Sequence, residues 1–301
     1  MHKFGGSWSE SKLGCIESYT LAYLKVMQNQ TWCKLDYVDA FAGRGKQELK
    51  STAGTEKVNI FGDDSDRAET IEFLLGSAIR ALHASTKSMR SFNRFTFIDA
   101  DAKSCAELKS MVVSDFPYLV ASTRVICGDA NKRLHEYVST NDWAKTRSLV
   151  FLDPYGLEVG WAIINELAAT KACDVWYLFP LGGVIRMMTN DGQIPEAWAQ
   201  RLNGLFGTHD WYDEFYKPSP QPSLFNNNEV LQKDASTKHV VDYIRSRLSM
   251  VFAAVSNVAI LRNSKGAPLF ALILGVSNPS PSAQKRALSI ANHLVKDLSN
   301  S

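Results

Sequence analysis

Asp153-Pro154-Tyr155-Gly156 closes the apolar run Leu149-Val-Phe-Leu152, and these residues carry chemistry that the run itself cannot. A carboxylate, or the carbonyl beside it, accepts hydrogen bonds from a target amine. Proline fixes the direction of the chain, and an aromatic ring stacks on a planar substrate. Asp153, Pro154 and Tyr155 are therefore the candidate catalytic residues. Asp-Pro at a strand end also serves as a plain turn, so the tetrapeptide takes its meaning from what precedes it.

Three earlier segments end the same way. Leu35-Asp-Tyr-Val-Asp39 runs into Ala40-Phe-Ala-Gly43-Arg-Gly45, where glycines let backbone approach a ligand closely. No third Gly follows at the dinucleotide spacing, so the loop departs from the dinucleotide fingerprint. An acid followed by Gly-x-Gly is instead the usual first loop of S-adenosylmethionine (SAM) enzymes, which puts Asp39, Phe41, Gly43 and Gly45 at the amino acid end of that cofactor. Arg94-Phe-Thr-Phe-Ile-Asp99 ends on a carboxylate placed to accept from both ribose hydroxyls, and Asp101 is the N-cap of the next helix. Thr123-Arg-Val-Ile-Cys-Gly128-Asp129-Ala130 places a further acid where the adenine amino group is expected, though a helix cap uses the same residue. In open α/β sheets, ligands sit beyond the carboxyl ends of the strands. Polar chemistry is loaded at those ends and almost nowhere else.

With these residues the chain resembles the three-Cys-motif partner (TcmP) proteins, a SAM-methyltransferase-like family. The resemblance rests on Tyr37-Val-Asp-Ala-Phe-Ala-Gly-Arg-Gly45, Gly76-Ser77, Phe97-Ile-Asp-Ala-Asp101, Gly128-Asp129 and Phe151-Leu-Asp-Pro-Tyr-Gly156. It covers most of the chain and implies SAM as cofactor and a separate small three-Cys-motif protein as partner. The chain departs from the family pattern with Asp99 in place of Glu, Ala78 in place of Pro, and a longer stretch from Gln47 to Asp66. Asp-Pro-aromatic-Gly is also similar to the motif of tRNA guanine-N2 dimethyltransferases, which turns the expected acceptor toward an amino group of a nucleobase.

These residues need a frame to hold them. Leu13, Ile16, Leu24 and Met27 share one face of a helix over Ser9–Gln28, and Ile71, Leu74, Leu75, Ala78 and Leu82 share one face of another. Helices carrying Cys105, Leu108, Met111 and Val112, then Leu134, Tyr137 and Val138, then Trp161, Ile164 and Leu167, alternate with the strands. A fifth strand covers Asp174–Phe179 and ends at Pro180, a pair that either walls the site or belongs to core and turn. Asn263-Ser-Lys-Gly266 separates two apolar runs, Val251–Leu261 and Leu269–Val276, as the turn of a hairpin. A helix with Ala287, Ile290, Ala291 and Leu294 follows.

The expected architecture is α/β: a doubly wound, Rossmann-like SAM-methyltransferase sheet with a C-terminal antiparallel hairpin and a helical insertion. A single domain spans 1–301. It is divided into an N-terminal helix (1–34), a cofactor-binding core (35–180), a helical insertion and loop (181–236), and a terminal helix, hairpin and helix (237–301).

Composition narrows the function classes. Lys plus Arg number 33 against 31 Asp plus Glu, a net charge of +2, short of the basic excess of a free-standing nucleic-acid binder. A nucleic-acid substrate then needs a local patch, for which Arg245, Arg247, Arg262, Lys265, Lys285 and Arg286 are candidates, or a partner's phosphate contacts. No run approaches the ~18 apolar residues of a membrane span, and Met1-His-Lys-Phe-Gly-Gly6 has no apolar leader, so a cytoplasmic protein is expected. The five cysteines are scattered without Cys-x-x-Cys, which fits reduced thiols, and with six dispersed histidines they offer no metal site. The chain is thus read as the partner of the three-Cys protein. The competing reading is a non-catalytic SAM-binding module for that protein. A dinucleotide oxidoreductase is disfavoured by the missing Gly and the terminal hairpin.

Overall fold

The structure, a computed structural model, describes residues 7–42, 77–154, 156–218 and 231–299. Gly43, Gly45, Gly76, Tyr155, the Gln47–Asp66 stretch, Ile71, Leu74, Leu75 and the Leu13 side chain lie outside that description.

Five parallel strands form most of the central sheet: β1 (Lys34–Asp39), β2 (Arg94–Asp99), β3 (Thr123–Cys127), β4 (Thr146–Leu152) and β5 (Cys173–Phe179). Two three-residue strands, β6 (Tyr216–Pro218) and β7 (Leu231–Lys233), pair apart from it. The sheet is completed by β8 (Ala254–Val255), β9 (Ala259–Arg262) and β10 (Pro268–Val276), and β10 runs antiparallel between β5 and the other two. The order is β3-β2-β1-β4-β5-β10-β8, with β9 also on β10. This is a mixed α/β fold with a mostly parallel central sheet.

Helices α1 (Ser7–Met27), α2 (Ser77–Lys87), α3 (Ala102–Asp115), α4 (Ala130–Thr140) and α5 (Trp161–Ala169) precede or follow these strands. Then come α6 (Leu181–Met187), α7 (Glu196–Phe206), α8 (Trp211–Phe215), α9 (Thr237–Ser249) and α10 (Pro281–Ser299). Period-two alternation sends side chains to two cores. Leu35, Tyr37, Leu149, Phe151, Trp176 and Leu272 join α1, α2, α3 and α10 on one face. Val38, Val150, Leu152, Val175, Tyr177 and Ile273 join α4 through α9 on the other. Strands buried on both faces read as continuous apolar runs, which is why β4 and β5 were visible in sequence.

Two elements differ from expectation. The run 251–261 is not one strand, because Ser256–Val258 bulges between β8 and β9. There the Ser256 hydroxyl accepts from Leu274 N–H at 3.0 Å in place of a ladder carbonyl. The insertion is helical as expected but also contains the β6–β7 pair. Gly207 ends α7 at φ +68°, and a Cβ there would lie 2.1 Å from the Trp161 ring, so only glycine fits.

Two polar devices fix the strands. Asp36, buried in β1, accepts from the Arg94 guanidinium of β2 and from Tyr137 of α4 at 3.0 Å. Arg90 donates to the Met27 carbonyl at the end of α1, to Gln30 O at 2.7 Å and to Cys33 O at 2.6 Å. One guanidinium fork thus ties the end of α1 to the entry of β1. Arg90→Ala is expected to cost about 2–3 kcal/mol, since charged donors to three carbonyls are lost. The drop in Tm should be roughly 3–6 °C by calorimetry. Arg90→Lys should recover little of it, because an ammonium cannot match the fork.

Candidate functional site

The strand order reverses between β1 and β4, which leave their helices on opposite sides. Crevices at such switch points, beyond the carboxyl ends of strands, are where open α/β sheets bind ligands. Asp39 ends β1, Asp153 follows β4 and Asp99 ends β2 next door. In register, Asp39 sits opposite both Phe97 and Phe151, so all three carboxylates emerge on the same face of the sheet. Backbone bonds Ala40 N–H to Phe151 O (3.1 Å) and Ala42 N–H to Ile98 O (2.8 Å) hold the chain after β1 between its neighbours.

Asp39 is fully buried. Ser77 Oγ donates to its Oδ2 at 2.6 Å, and Phe41 N–H donates to its Oδ1 at 3.2 Å. Burial pushes this carboxyl up to about 6; the Ser77 and Phe41 bonds oppose that rise, and the charge of Asp99 adds to it. Asp39 therefore shapes the first loop by holding Phe41 and the start of α2. Phe41 itself is half-buried against the α4–α9 core.

Asp99 is half-buried; its Oδ1 accepts from Asp101 N–H at 2.7 Å, and its carbonyl accepts from Gly128 N–H at 2.9 Å. Asp101 caps α3 through Ser104 N–H at 2.8 Å, as expected. Asp129 caps α4 through Lys132 N–H at 2.9 Å, so the capping role is present. Its exposed Oδ2 has no donor among the described residues. Ala130 is the first residue of α4, where backbone N–H groups have no helical partner. Gly128 adopts φ +154° in the turn that delivers both.

Asp153 is 1% exposed and Pro154 is buried with it; Tyr155 lies outside the described residues. Asn131 fastens the segment after Asp153 to α4, accepting from Gly160 N–H at 2.9 Å and donating to Glu158 O at 2.7 Å. The structure thus brings Asp39, Asp99, Asp129, Ala130, Asp153 and Pro154 to one edge of the sheet. Phe179 is fully buried and packs on Tyr177 and Phe206, so it is core and not a wall of the crevice.

Sequence reasoning missed two residues here. Ser77 entered only as a helix opener, yet it is a buried donor to Asp39; a small hydroxyl residue at a helix start was the available signal. Tyr37 is 1% exposed, and its hydroxyl has no hydrogen-bond partner among the described residues. Burial, then the charges of Asp39 and Asp153, raise its phenol well above the usual range and keep it neutral. Its place in an apolar strand gave no sign of this.

Arg245, Arg247 and Arg262 of the candidate basic patch donate to backbone carbonyls. Arg245 donates to Ser256 O at 3.0 Å, while Arg247 donates to Phe206 O at 2.9 Å and lies over the Trp161 ring. All five cysteines are free thiols. Among the described residues no group of His, Cys, Asp and Glu could hold a metal, and no helix is long and apolar enough to cross a membrane.

No family model and no curated protein matches the chain. Among solved structures it is similar to protein LPL1258 from Legionella pneumophila str. Philadelphia 1, described under family-model DUF519. That match has 15% identity over 92% of this chain and 90% of the other, with a TM-score of 0.44. The likeness is long but loose, and it assigns neither ligand nor activity.

Proposed function

We propose that this protein is a SAM-dependent methyltransferase acting on an amino group, with Asp153-Pro154-Tyr155 at the reacting end. The observation that carries the reading is the convergence of Asp39, Asp99 and Asp153 on one face of the sheet, beyond the carboxyl ends of adjacent parallel strands. The strand order, with an antiparallel β10 inserted beside β5, supports a doubly wound methyltransferase sheet over a dinucleotide fold whose last strands stay parallel.

The residues present fit the cofactor. A buried phenol whose hydroxyl has no hydrogen-bond partner among the described residues, a half-buried carboxylate at β2 and a carboxylate oxygen not used by a helix cap are the donors and acceptors that such a ligand would engage. When bound, SAM supplies an electrophilic methyl group on a sulfonium. Asp39 and its loop would meet the amino acid end, Asp99 the ribose hydroxyls, and Asp129 with the Ala130 amide the adenine. Asp153 and the Pro154 carbonyl would accept from the target amine and aim its lone pair, with Tyr155 stacked on the acceptor. Burial of Asp153 keeps water from that approach. The same burial favours the second reading, a non-catalytic SAM-binding partner of a small three-Cys-motif protein, if no acceptor reaches the carboxylate.

Titration calorimetry tests the cofactor. The chain should bind SAM, and Asp99→Ala should weaken it by ~1–3 kcal/mol, because ribose hydroxyls lose their acceptor. No heat and no thermal shift at millimolar SAM would sink the proposal.

A further inference from the structure

At the opposite edge of the sheet lies a cavity of about 240 Å³, lined by residues with no part in the site above. Arg147 is the second residue of β4 and Asp174 the second of β5, on the same face of the sheet. Six residues of strand separate Arg147 from Asp153, roughly 20 Å at strand rise. Tyr19 and Tyr23, one turn apart on α1, Trp32 just before β1 and Arg286 on α10 join the lining, with Gln30, Asn278, Ser280 and Ser282 as further polar groups.

Some polar groups of this cavity pair with one another, Trp32 Nε1 donating to Gln30 Oε1 at 3.0 Å and the Ser280 and Ser282 hydroxyls meeting at 3.1 Å, but Asp174 and Tyr23 keep hydrogen-bonding capacity that no described residue fills. Tyr19 donates to Asp174 Oδ2 at 3.4 Å, a long bond, and no donor among the described residues reaches Oδ1. The Tyr23 hydroxyl makes no hydrogen bond with a described residue. Arg147 feels the charge of Asp174 but forms no ion pair with it; its Nη1 goes to Trp143 O and Thr146 O, both near 2.8 Å. Burial pushes the Asp174 carboxyl up to about 7, against the pull of Tyr19 and Arg147. An acid and a guanidinium that face one cavity without closing on each other leave room for a ligand that both donates and accepts. The Arg147 guanidinium lies over the Trp32 ring, 4.6 Å from its centroid, and Trp32 is still 54% exposed.

We propose that this cavity binds a planar base of the guanine type, its adjacent N–H groups donating to Asp174 and its ring carbonyl accepting from Arg147. Trp32 supplies a face for the ring, and Arg286 at the rim meets an anionic tail. Two arginines against one acid disfavour a simple cation. Adenine and cytosine have no ring N–H beside their amino group, so neither can donate two adjacent hydrogen bonds to one carboxylate as guanine does. Base–aromatic stacking is worth ~1–3 kcal/mol, enough to anchor a small ligand in such a cavity. The proposal stands apart from methyl transfer at the other edge, so failure of SAM binding leaves it intact.

Calorimetry with GMP and AMP tests it. GMP should bind at millimolar concentration or below, and AMP at least tenfold more weakly. Asp174→Asn and Trp32→Ala should each weaken GMP at least tenfold; exposed Trp32 keeps the test valid if Asp174→Asn fails to fold. A guanine-containing tetraribonucleotide run beside GMP distinguishes a base presented by RNA from a free nucleotide, and tighter binding of either supports the base assignment. Absence of GMP binding, equal binding of AMP, or GMP binding unchanged in Trp32→Ala overturns it.

Discussion

Asp153→Ala is expected to bind SAM within a few-fold of the parent and to transfer no methyl group. The residue follows β4 beside the switch point, while the groups proposed for the cofactor's ribose and adenine lie on β2 and at the start of α4. Loss of an interaction made only on the way to the transition state appears in kcat with little change in cofactor affinity. The assay is radiolabel transfer from SAM to pooled tRNA, DNA and protein of the native host, with and without a Cys-rich neighbour protein. A variant that labels as fast as the parent removes Asp153 from the reacting end. A parent that binds SAM but labels nothing in any pool moves the protein to the binding-module reading. The effect is expected to be large because Asp153 is 1% exposed. Water cannot take its place as acceptor in so dry a position.

What was legible in sequence follows from what each residue must satisfy. β4 and β5 are buried on both faces, so their apolar runs stood out, and the acid that stops the β4 run marked the strand ends beyond which open α/β sheets bind ligands. The hairpin turn was legible because Asn263 Oδ1 accepts from the backbone of Lys265 and Ala267, a task that asparagine advertises. Ser256 was not, because a serine that substitutes for a ladder carbonyl looks like any other in an apolar run.

The sites divide in the same way. Asp39, Asp99 and Asp129 are local in sequence to a strand end, so spacing alone brings them forward as candidates. The cavity at the opposite edge draws on α1, the segment before β1, residues near the starts of β4 and β5, and α10. Arg147 and Asp174 become neighbours only through the β4–β5 register, and no local pattern encodes that pairing. Tyr37 was hidden for a related reason: tyrosine is an ordinary strand residue, and only tertiary packing buries its hydroxyl away from any hydrogen-bond partner among the described residues.

Asp39→Asn is expected to make the protein more stable above pH 7 and worse at holding SAM. Below pH 4 the parent's Asp39 is protonated whether folded or unfolded, and burial costs nothing extra. As pH rises from about 4, the unfolded chain ionises first, while the buried carboxyl holds its proton until about 6. Stability is therefore fully present below the unfolded value and is lost as pH rises through the folded one. A shift of that size is worth on the order of 2–3 kcal/mol once complete. Asparagine cannot ionise and keeps one acceptor oxygen, so it loses one of the Ser77 and Phe41 bonds, about 1 kcal/mol. The balance is a gain of about 1–2 kcal/mol at pH 8 that turns into a loss of about 1 kcal/mol near pH 4, where only the missing hydrogen bond counts. Asp174, whose carboxyl is pushed up to about 7, gives both proteins a slope of the same sign, so the informative quantity is their difference. Urea unfolding from pH 4 to 8 measures it, and a difference constant across that range refutes the burial argument. A carboxylate kept ionised at such cost is understandable if it meets the ammonium of a bound cofactor. The stabilised variant should then bind SAM about tenfold more weakly, the 1.4 kcal/mol lost when a charged acceptor becomes neutral.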